Sequence, residues 1–214
     1  MNLRQLVKYV LWRDATQHGE YRTFLKLMGP ACPSIVVDVG ANDGFYGSNS
    51  FPFVARDWRA ILIEPHPNVF ARLQTKFAGK PRVTCLNLAC SNQRGLLPLF
   101  IGKDGDAGTL STLCRDDNDH FRTARTEQSV EVRVEVLSEV LESQAIPRDF
   151  GLLSVDTEGM DYEVLLGLNL PKWRPRIIIT EDYAPKDLAK FNHLREHGYR
   201  LRAHPLGNTI WSLT

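Results

Sequence analysis

The chain lacks the features that would point to a membrane, a secretory route or a nucleic acid. Its 214 residues contain no apolar run approaching the length of a bilayer span. The start, Met1 to Val10, mixes Arg4 and Lys8 with apolar residues and has no continuous hydrophobic block of the secretory kind, so a cytoplasmic protein is expected. Charge of either sign is not in excess: 26 Lys and Arg face 25 Asp and Glu, for a formal net charge of +1. That balance gives no electrostatic argument for nucleic acid or an anionic bilayer as partner. Cysteine is scarce. Cys32, Cys85, Cys90 and Cys114 show no Cys-x-x-Cys spacing and no histidine at ligand distance, so neither a disulfide framework nor a zinc site is indicated. Cys85 and Cys90 lie in an apolar run and read as buried thiols. Two nucleotide signatures are missing as well, the Gly-x-Gly-x-x-Gly of dinucleotide enzymes and the phosphate loop ending in Gly-Lys-Ser/Thr. The histidines, among them His66, His120, His193, His197 and His204, are scattered. At this length the chain can bury one good core and is small for two.

What is present centres on Ile35 to Phe45. Ile35, Val36, Val37 and Val39 form an apolar, β-branched run suited to a strand buried on both faces. It breaks into a glycine turn, Gly40 to Gly44, and Phe45 to Ala55 can begin a helix. Strand, glycine turn and helix open an α/β nucleotide-binding fold whose ligand sits at the carboxyl end of the strand. Glycine serves the positive φ of the turn and a close approach of the backbone to a ligand. A second buried strand, Ala60 to Ile63, ends in Glu64. A carboxylate about 20 residues past the glycine turn is placed to hold ribose hydroxyls, and Pro65 and Pro67 stiffen the turn that aims it.

Asp38-Val-Gly-Ala-Asn-Asp-Gly44 resembles the first motif of S-adenosylmethionine-dependent methyltransferases of the FkbM family. The likeness continues through Ser48-Asn49, Trp58, Ile63-Glu64-Pro65-His66-Pro67, Phe70, Asp156-Thr157-Glu158-Gly159 and Glu181, so it covers the chain from about Ser34 onward. It implies that Asp38, Gly40, Asn42, Gly44 and Glu64 contact S-adenosylmethionine. Asn87, Ala89 and Cys90, at the end of a third strand over Val83 to Ala89, are further candidates for the adenine edge. The implied fold is α/β, a Rossmann-like doubly wound sheet of the class I methyltransferase type, mostly parallel with its last strand antiparallel. The implied acceptor is a hydroxyl of a small molecule or glycan: a sugar, glycolipid, polysaccharide or polyketide.

The remaining pattern fits that frame. Residues 1–30 read as an N-terminal helical extension, either a cap packed on the domain or a lid or dimer surface, and 31–214 as the methyltransferase domain. Asn68 to Ala78 is a helix, and Leu96 to Ile101 is a short strand outside the β-α alternation. Gly102 to Gln128 is a long polar segment, read as a flap over the acceptor or as a stretch without a role. Within it Asp106, Ser111 and His120 are the acceptor-side candidates. Val130 to Val136 alternates strictly, the mark of a half-exposed strand, and Ser138 to Ala145 continues as a helix capped by Ser138. Strands at Leu152 to Val155 and Ile177 to Thr180 precede a helix around Lys186 to Glu196 and a closing hairpin, Tyr199 to Ala203 with Thr209 to Leu213.

Methylation of a hydroxyl needs alignment with the leaving group and a base for the proton. The acids Asp156, Glu158, Glu181 and Asp182 end two strands that face the same crevice as Gly40 and Glu64. Glu158 or Asp156 is then the general base. Alternatively Asp156 with Glu181 or Asp182 holds a divalent ion such as magnesium. A structural alternative has Asp156, Thr157 and Glu158 capping the next helix. Two other classes share the fold. A nicotinamide-dependent oxidoreductase is disfavoured by the glycine spacing and by the absence of a Tyr-x-x-x-Lys pair, since Leu166 and Asp187 follow Tyr162 and Tyr183. A non-catalytic binding module is disfavoured by the intact acidic cluster.

Overall fold

A computed structural model describes Thr16 and residues 19–45, 47–113, 125–182 and 188–213. The strands are β1 Ile35–Val39, β2 Arg59–Ile63, β3 Val83–Leu86, β4 Ala89–Ser91, β5 Gly95–Gly102, β6 Arg125–Val136, β7 Leu152–Val155, β8 Ile177–Glu181, β9 Tyr199–Ala203 and β10 Asn208–Leu213. The helices are α1 Glu20–Leu27, α2 Phe51–Val54, α3 Pro67–Phe77, α4 Leu137–Ser143, α5 Asp161–Leu168 and α6 Leu188–Glu196. Seven strands make the main sheet in the order β3-β2-β1-β7-β8-β10-β9. β3, β2, β1, β7 and β8 run parallel, and β10 enters antiparallel between β8 and β9. This is the expected doubly wound sheet with its antiparallel closing strand.

Alternation along the strands builds the two faces of this sheet. Val37, Val39, Ile61, Ile63, Leu153, Val155 and Ile178 pack with Leu137 and Leu141 of α4, Val164 and Leu165 of α5, and Trp211. On the opposite face Val36, Ala60, Leu62, Leu152, Ile177 and Ile179 pack with Tyr21 and Phe24 of α1, Phe53 of α2, and Leu73 and Phe77 of α3. Full burial of each such side chain contributes about 1.5–3 kcal/mol. Helix α1 therefore closes one face of the sheet, with Phe24 edge-on to Phe53 and Trp58.

Several elements depart from the expected boundaries. The helix after the glycine turn is only α2, because Ser48 Oγ accepts the main-chain N–H of Ser50 and Phe51 and holds the preceding loop in a turn. The strand expected over Val83 to Ala89 divides at Asn87: β3 stays in the main sheet, while β4 joins a second sheet of order β4-β6-β5. Leu99, Val132 and Val134 with Ala89 form the small core of that sheet. Ser138 does not cap α4, which already begins at the fully buried Leu137 and has Val136 at its cap position. Cys90 is buried as expected, Cys85 only partly, and Cys114 lies outside the described residues. No described helix is long and apolar enough to cross a membrane.

Candidate active site

β1 lies between β2 and β7, where the strand order reverses, so a crevice opens at the carboxyl ends of these strands. A cavity of about 370 Å³ occupies it. Its floor is Asp38 to Asn42, its sides are Ile63 to Pro65 and Leu88 to Cys90, and its far wall is Ser154, Asp156 to Glu158, Met160 and Glu181. Gly108 to Ser111 and Leu113 close it from above. Five carboxylates line it, those of Asp38, Glu64, Asp156, Glu158 and Glu181; among the described residues no lysine, arginine or histidine does.

The near side is held by main-chain donors. Gly40 and Ala41 both donate N–H bonds to the Ile63 carbonyl, which locks the glycine turn onto the end of β2. Glu64 Oε2 accepts the Asn42 N–H at 2.9 Å and Oε1 accepts the His66 N–H at 2.8 Å. Asn42 reaches this position with a left-handed φ of 49°. Burial nevertheless outweighs these bonds and pushes the Glu64 carboxyl up to about 7. Asp38, in register with Ser154 of β7, is also raised by burial, against hydrogen bonds from Ser50 and Ser154.

On the far side the acids meet each other. Oxygens of Asp156, Glu158 and Glu181 lie within 4.8 Å of one another, and the Asp156 and Glu181 side chains are hydrogen-bonded. Burial first, then the charge of Asp161, raise the Asp156 carboxyl to about 7. Glu181 Oε2 also accepts the Glu158 N–H at 3.3 Å. Glu158 sits at φ 52° and Gly159 at φ 105°, so the turn after β7 is left-handed at a non-glycine residue. Helix α5 starts only at Asp161, with Met160 at its cap position, so Asp156 to Glu158 do not cap it. Carboxyls this close can share a proton or converge on a cation.

The sequence matches the model of the methyltransferase FkbM domain over residues 38–201. The chain belongs to the FkbM methyltransferase family. Among solved structures, the methyltransferase FkbM from Methylobacillus flagellatus KT matches with TM-score 0.53 at 15% identity, over 84% of this chain and 43% of the other. The precorrin-6y C5,15-methyltransferase from Geobacter metallireducens GS-15 matches with TM-score 0.51 at 12% identity, over 94% of this chain and 92% of that one. At such identities the likeness is one of fold, the Rossmann-like class I methyltransferase fold. The chain spans less than half the length of the Methylobacillus protein. A search of curated proteins found no match.

Not every expected residue of this FkbM domain reaches the cavity. Asp38, Gly40, Asn42, Glu64, Asp156, Glu158, Glu181 and Ser111 line it. Gly44 does not: a Cβ there would meet Leu73 Cδ1 and Phe77 Cε2, so this glycine lets the turn lie against α3. Gly40 is needed for packing too, since a Cβ would lie 1.7 Å from the Asp156 carbonyl oxygen. Asn87 is exposed, and its Nδ2 donates to the Glu64 carbonyl at 2.9 Å and the Pro65 carbonyl at 3.1 Å. It braces the Glu64 turn, whereas the other two candidates, Ala89 and Cys90, line the cavity together with Leu88. Asp182 is outside the acidic cluster, 2.5 Å from His204 Nε2, and Glu158 completes the trio with Asp156 and Glu181. The backbone of Asp106 belongs to a 3₁₀ turn, Gly105–Ala107; its side chain and the whole of His120 lie outside what the structure describes.

Three contributors were not anticipated from the sequence. Thr112 Oγ1 donates to the Glu158 carbonyl at 2.6 Å, and Asn42 Nδ2 donates to the Ala107 carbonyl at 3.1 Å, so the segment above the cavity is tied to both rims. Asn49 lines the cavity with its Nδ2 3.4 Å from Ser154 Oγ. Asp161, buried behind the far wall, binds the backbone of both acidic strand ends. An acid in the first turn of a helix was the one visible sign of it.

Proposed function

We propose that this chain is an S-adenosylmethionine-dependent O-methyltransferase acting on a hydroxyl of a small molecule or glycan. The observation that carries the reading is the charge of the cavity. Five carboxylates and, among the described residues, no lysine, arginine or histidine line it. Such a lining suits a sulfonium cation and opposes the pyrophosphate of a nicotinamide dinucleotide. The raised carboxyls of Asp38, Glu64 and Asp156 point the same way, because a cation among them would favour their ionised forms. Glu64 keeps acceptor capacity for ribose hydroxyls after receiving its two backbone N–H bonds. Gly40, Ala41 and Asn42 form the floor beneath the cofactor, and Asp38 faces its methionine end.

Bound here, the sulfonium supplies an electrophilic methyl group. Transfer would break the methyl carbon–sulfur bond and release S-adenosylhomocysteine, while Asp156 at the far wall would take the proton of the acceptor hydroxyl whose oxygen gains the methyl group. A base with a conjugate acid near neutrality is both available and strong enough for that step. Glu181 shares the proton, and Glu158 orients the hydroxyl from the strained turn. The approach of three oxygens within 4.8 Å favours a second version, in which they hold a hard cation that acidifies the hydroxyl. Undiminished activity in chelator excludes that version.

Calorimetry comes first: S-adenosylmethionine and S-adenosylhomocysteine are expected to bind and NAD not to. NAD binding in preference to both overturns the reading. Transfer of a radiolabelled methyl group to a panel of neutral sugars, their phosphates and simple amines then tests the acceptor. Label on the neutral hydroxyl compounds is expected, and label on amines alone refutes the O-methyl assignment.

A further inference from the structure

Asp161 and Lys190 do not line the cavity, yet they fasten the two turns that carry its acids. Asp161 is the first residue of α5 and is buried. Its Oδ1 accepts the Thr157 N–H at 3.0 Å and the Thr157 hydroxyl at 2.6 Å, while Oδ2 accepts the Glu181 N–H at 2.9 Å. One carboxylate thus joins the turn after β7 to the last residue of β8. Lys190 reaches the same point from α6. It is 2% exposed, and among the described residues no other lysine or arginine is buried. Its Nζ lies 3.9 Å from Asp161 Oδ2 and donates to the Glu181 carbonyl. Glu181 is therefore gripped on both sides of its main chain, at N–H by Asp161 and at C=O by Lys190.

We propose that Asp161 and Lys190 are a positioning pair that sets the separation of the Asp156 and Glu181 carboxyls, and with it the rate of proton removal from the acceptor. This rests on the methyl-transfer reading above. The turn they hold is the strained one, with Glu158 and Gly159 both at positive φ, and left-handed backbone at a non-glycine residue persists where its surroundings impose it. A buried lysine beside a buried aspartate is costly to desolvate, and such a pair is weak as a source of stability. Its use here is geometric: backbone groups of both acidic turns converge on it. Glu20 of α1, also buried, is bonded by Asn208, the register partner of Glu181, so the charge pattern behind the wall extends to that helix.

The test is Lys190→Met, with Lys190→Arg and Lys190→Gln beside it, each first checked for cooperative thermal unfolding. S-adenosylmethionine calorimetry on the wild type tests the methyl-transfer reading alone. For Lys190→Met, cofactor affinity is expected within about threefold of wild type, while kcat with the fastest sugar of the panel falls by about 100-fold, the scale of an ångström's misplacement. Lys190→Arg should restore most of the loss. A crystal structure of Lys190→Met without ligand reads the pair independently of any acceptor: the Asp156–Glu181 contact should be broken and residues 157–159 displaced. Should Lys190→Met not fold, Lys190→Gln, which keeps a donor for the Glu181 carbonyl but no charge, takes its place with the same expectations at smaller size. Wild-type kcat in the folded variant, parallel loss of cofactor affinity and kcat, or an unchanged Asp156–Glu181 contact overturns the inference.

Discussion

At the carboxyl ends of β1 and β2 the acid is held by the backbone, with both Glu64 oxygens met by main-chain N–H groups at 2.8 and 2.9 Å. At the ends of β7 and β8 the acids are held by one another, Asp156 against Glu181 with Glu158 close by. One carboxyl on each side is raised to about 7, Glu64 on the near side and Asp156 on the far side, in both cases chiefly by desolvation. Around Glu64 main-chain N–H bonds oppose the shift and the Asp38 charge adds to it. Asp156 is raised by desolvation and also by the charge of Asp161. The first arrangement suits gripping a ligand in one orientation. The second leaves a proton to be moved, which is what a reaction needs.

The largest effect should come where the two sides touch. Gly40 lies against the Asp156 carbonyl at φ 86°, and an added methyl group would stand 1.7 Å from that backbone oxygen. Gly40→Ala is expected to cost about 4 kcal/mol or more, at the extreme of single substitutions. Gly44→Ala, at φ 70°, meets side-chain atoms of Leu73 and Phe77 that can move, and should cost about 1–3 kcal/mol. Urea midpoints measure both. Equal losses would mean that the near and far rims are not coupled through Gly40.

Next comes a functional dissociation. Asp156→Asn should lower methyl transfer by about 10²–10⁴-fold, the usual span for a general base, with only a few-fold loss of cofactor affinity from the missing charge. Glu64→Gln should instead weaken cofactor binding by about 1–3 kcal/mol through the altered hydrogen bonds, with turnover at saturating cofactor preserved. Calorimetry and radiolabel transfer on both variants separate gripping from proton removal. If each variant loses both properties, the division of labour is wrong.

The extent to which this site was legible in the chain follows the same division. The near rim is contiguous: Asp38 to Asn42 and Glu64 directly end two strands, and strand ends are readable from apolar runs. The far rim depends on register. Glu181 and Asp182 are adjacent, and neighbours in a strand point to opposite faces, so one of them had to face away. Alternation along β8 places Glu181 at the cavity, and Asp182 goes to His204. The division of residues 83–91 between two sheets was likewise hidden, because Val83, Leu86, Leu88 and Ala89 are all apolar and only the strands opposite them differ. Gly44 could be recognised as a positive-φ position, but not which neighbour its missing side chain makes room for.

A smaller effect is expected from pH on the ligand-free protein. The folded-state values of Glu64 and Asp156, about 7, lie above their ordinary 4.5 and 3.8. Between those limits the folded chain keeps protons that the unfolded chain has released. Stability should therefore fall as pH rises from about 4 to about 7, with Glu64 alone worth about 3 kcal/mol across the window. Urea midpoints at the two ends of the window check this, and Glu64→Gln should flatten the slope. A rise in stability with pH would show that these carboxyls are ionised in the folded protein.

Asn87 gives the smallest effect and the finest test of the comparison. Its side chain is exposed and absent from the cavity wall, yet it bonds the carbonyls of Glu64 and Pro65. If the near rim works through backbone rigidity, Asn87→Ala should cost about 1 kcal/mol of stability, the ordinary worth of such bonds. Cofactor affinity should fall only a few-fold, because Glu64 keeps its two N–H partners while its turn loosens. An Asn87→Asp variant cannot donate to either carbonyl and should behave like the alanine one. Calorimetry against Glu64→Gln decides the matter: a loss as large as that variant's would mean that Asn87 touches the cofactor itself, and the near side would then be a set of side-chain contacts rather than a braced backbone.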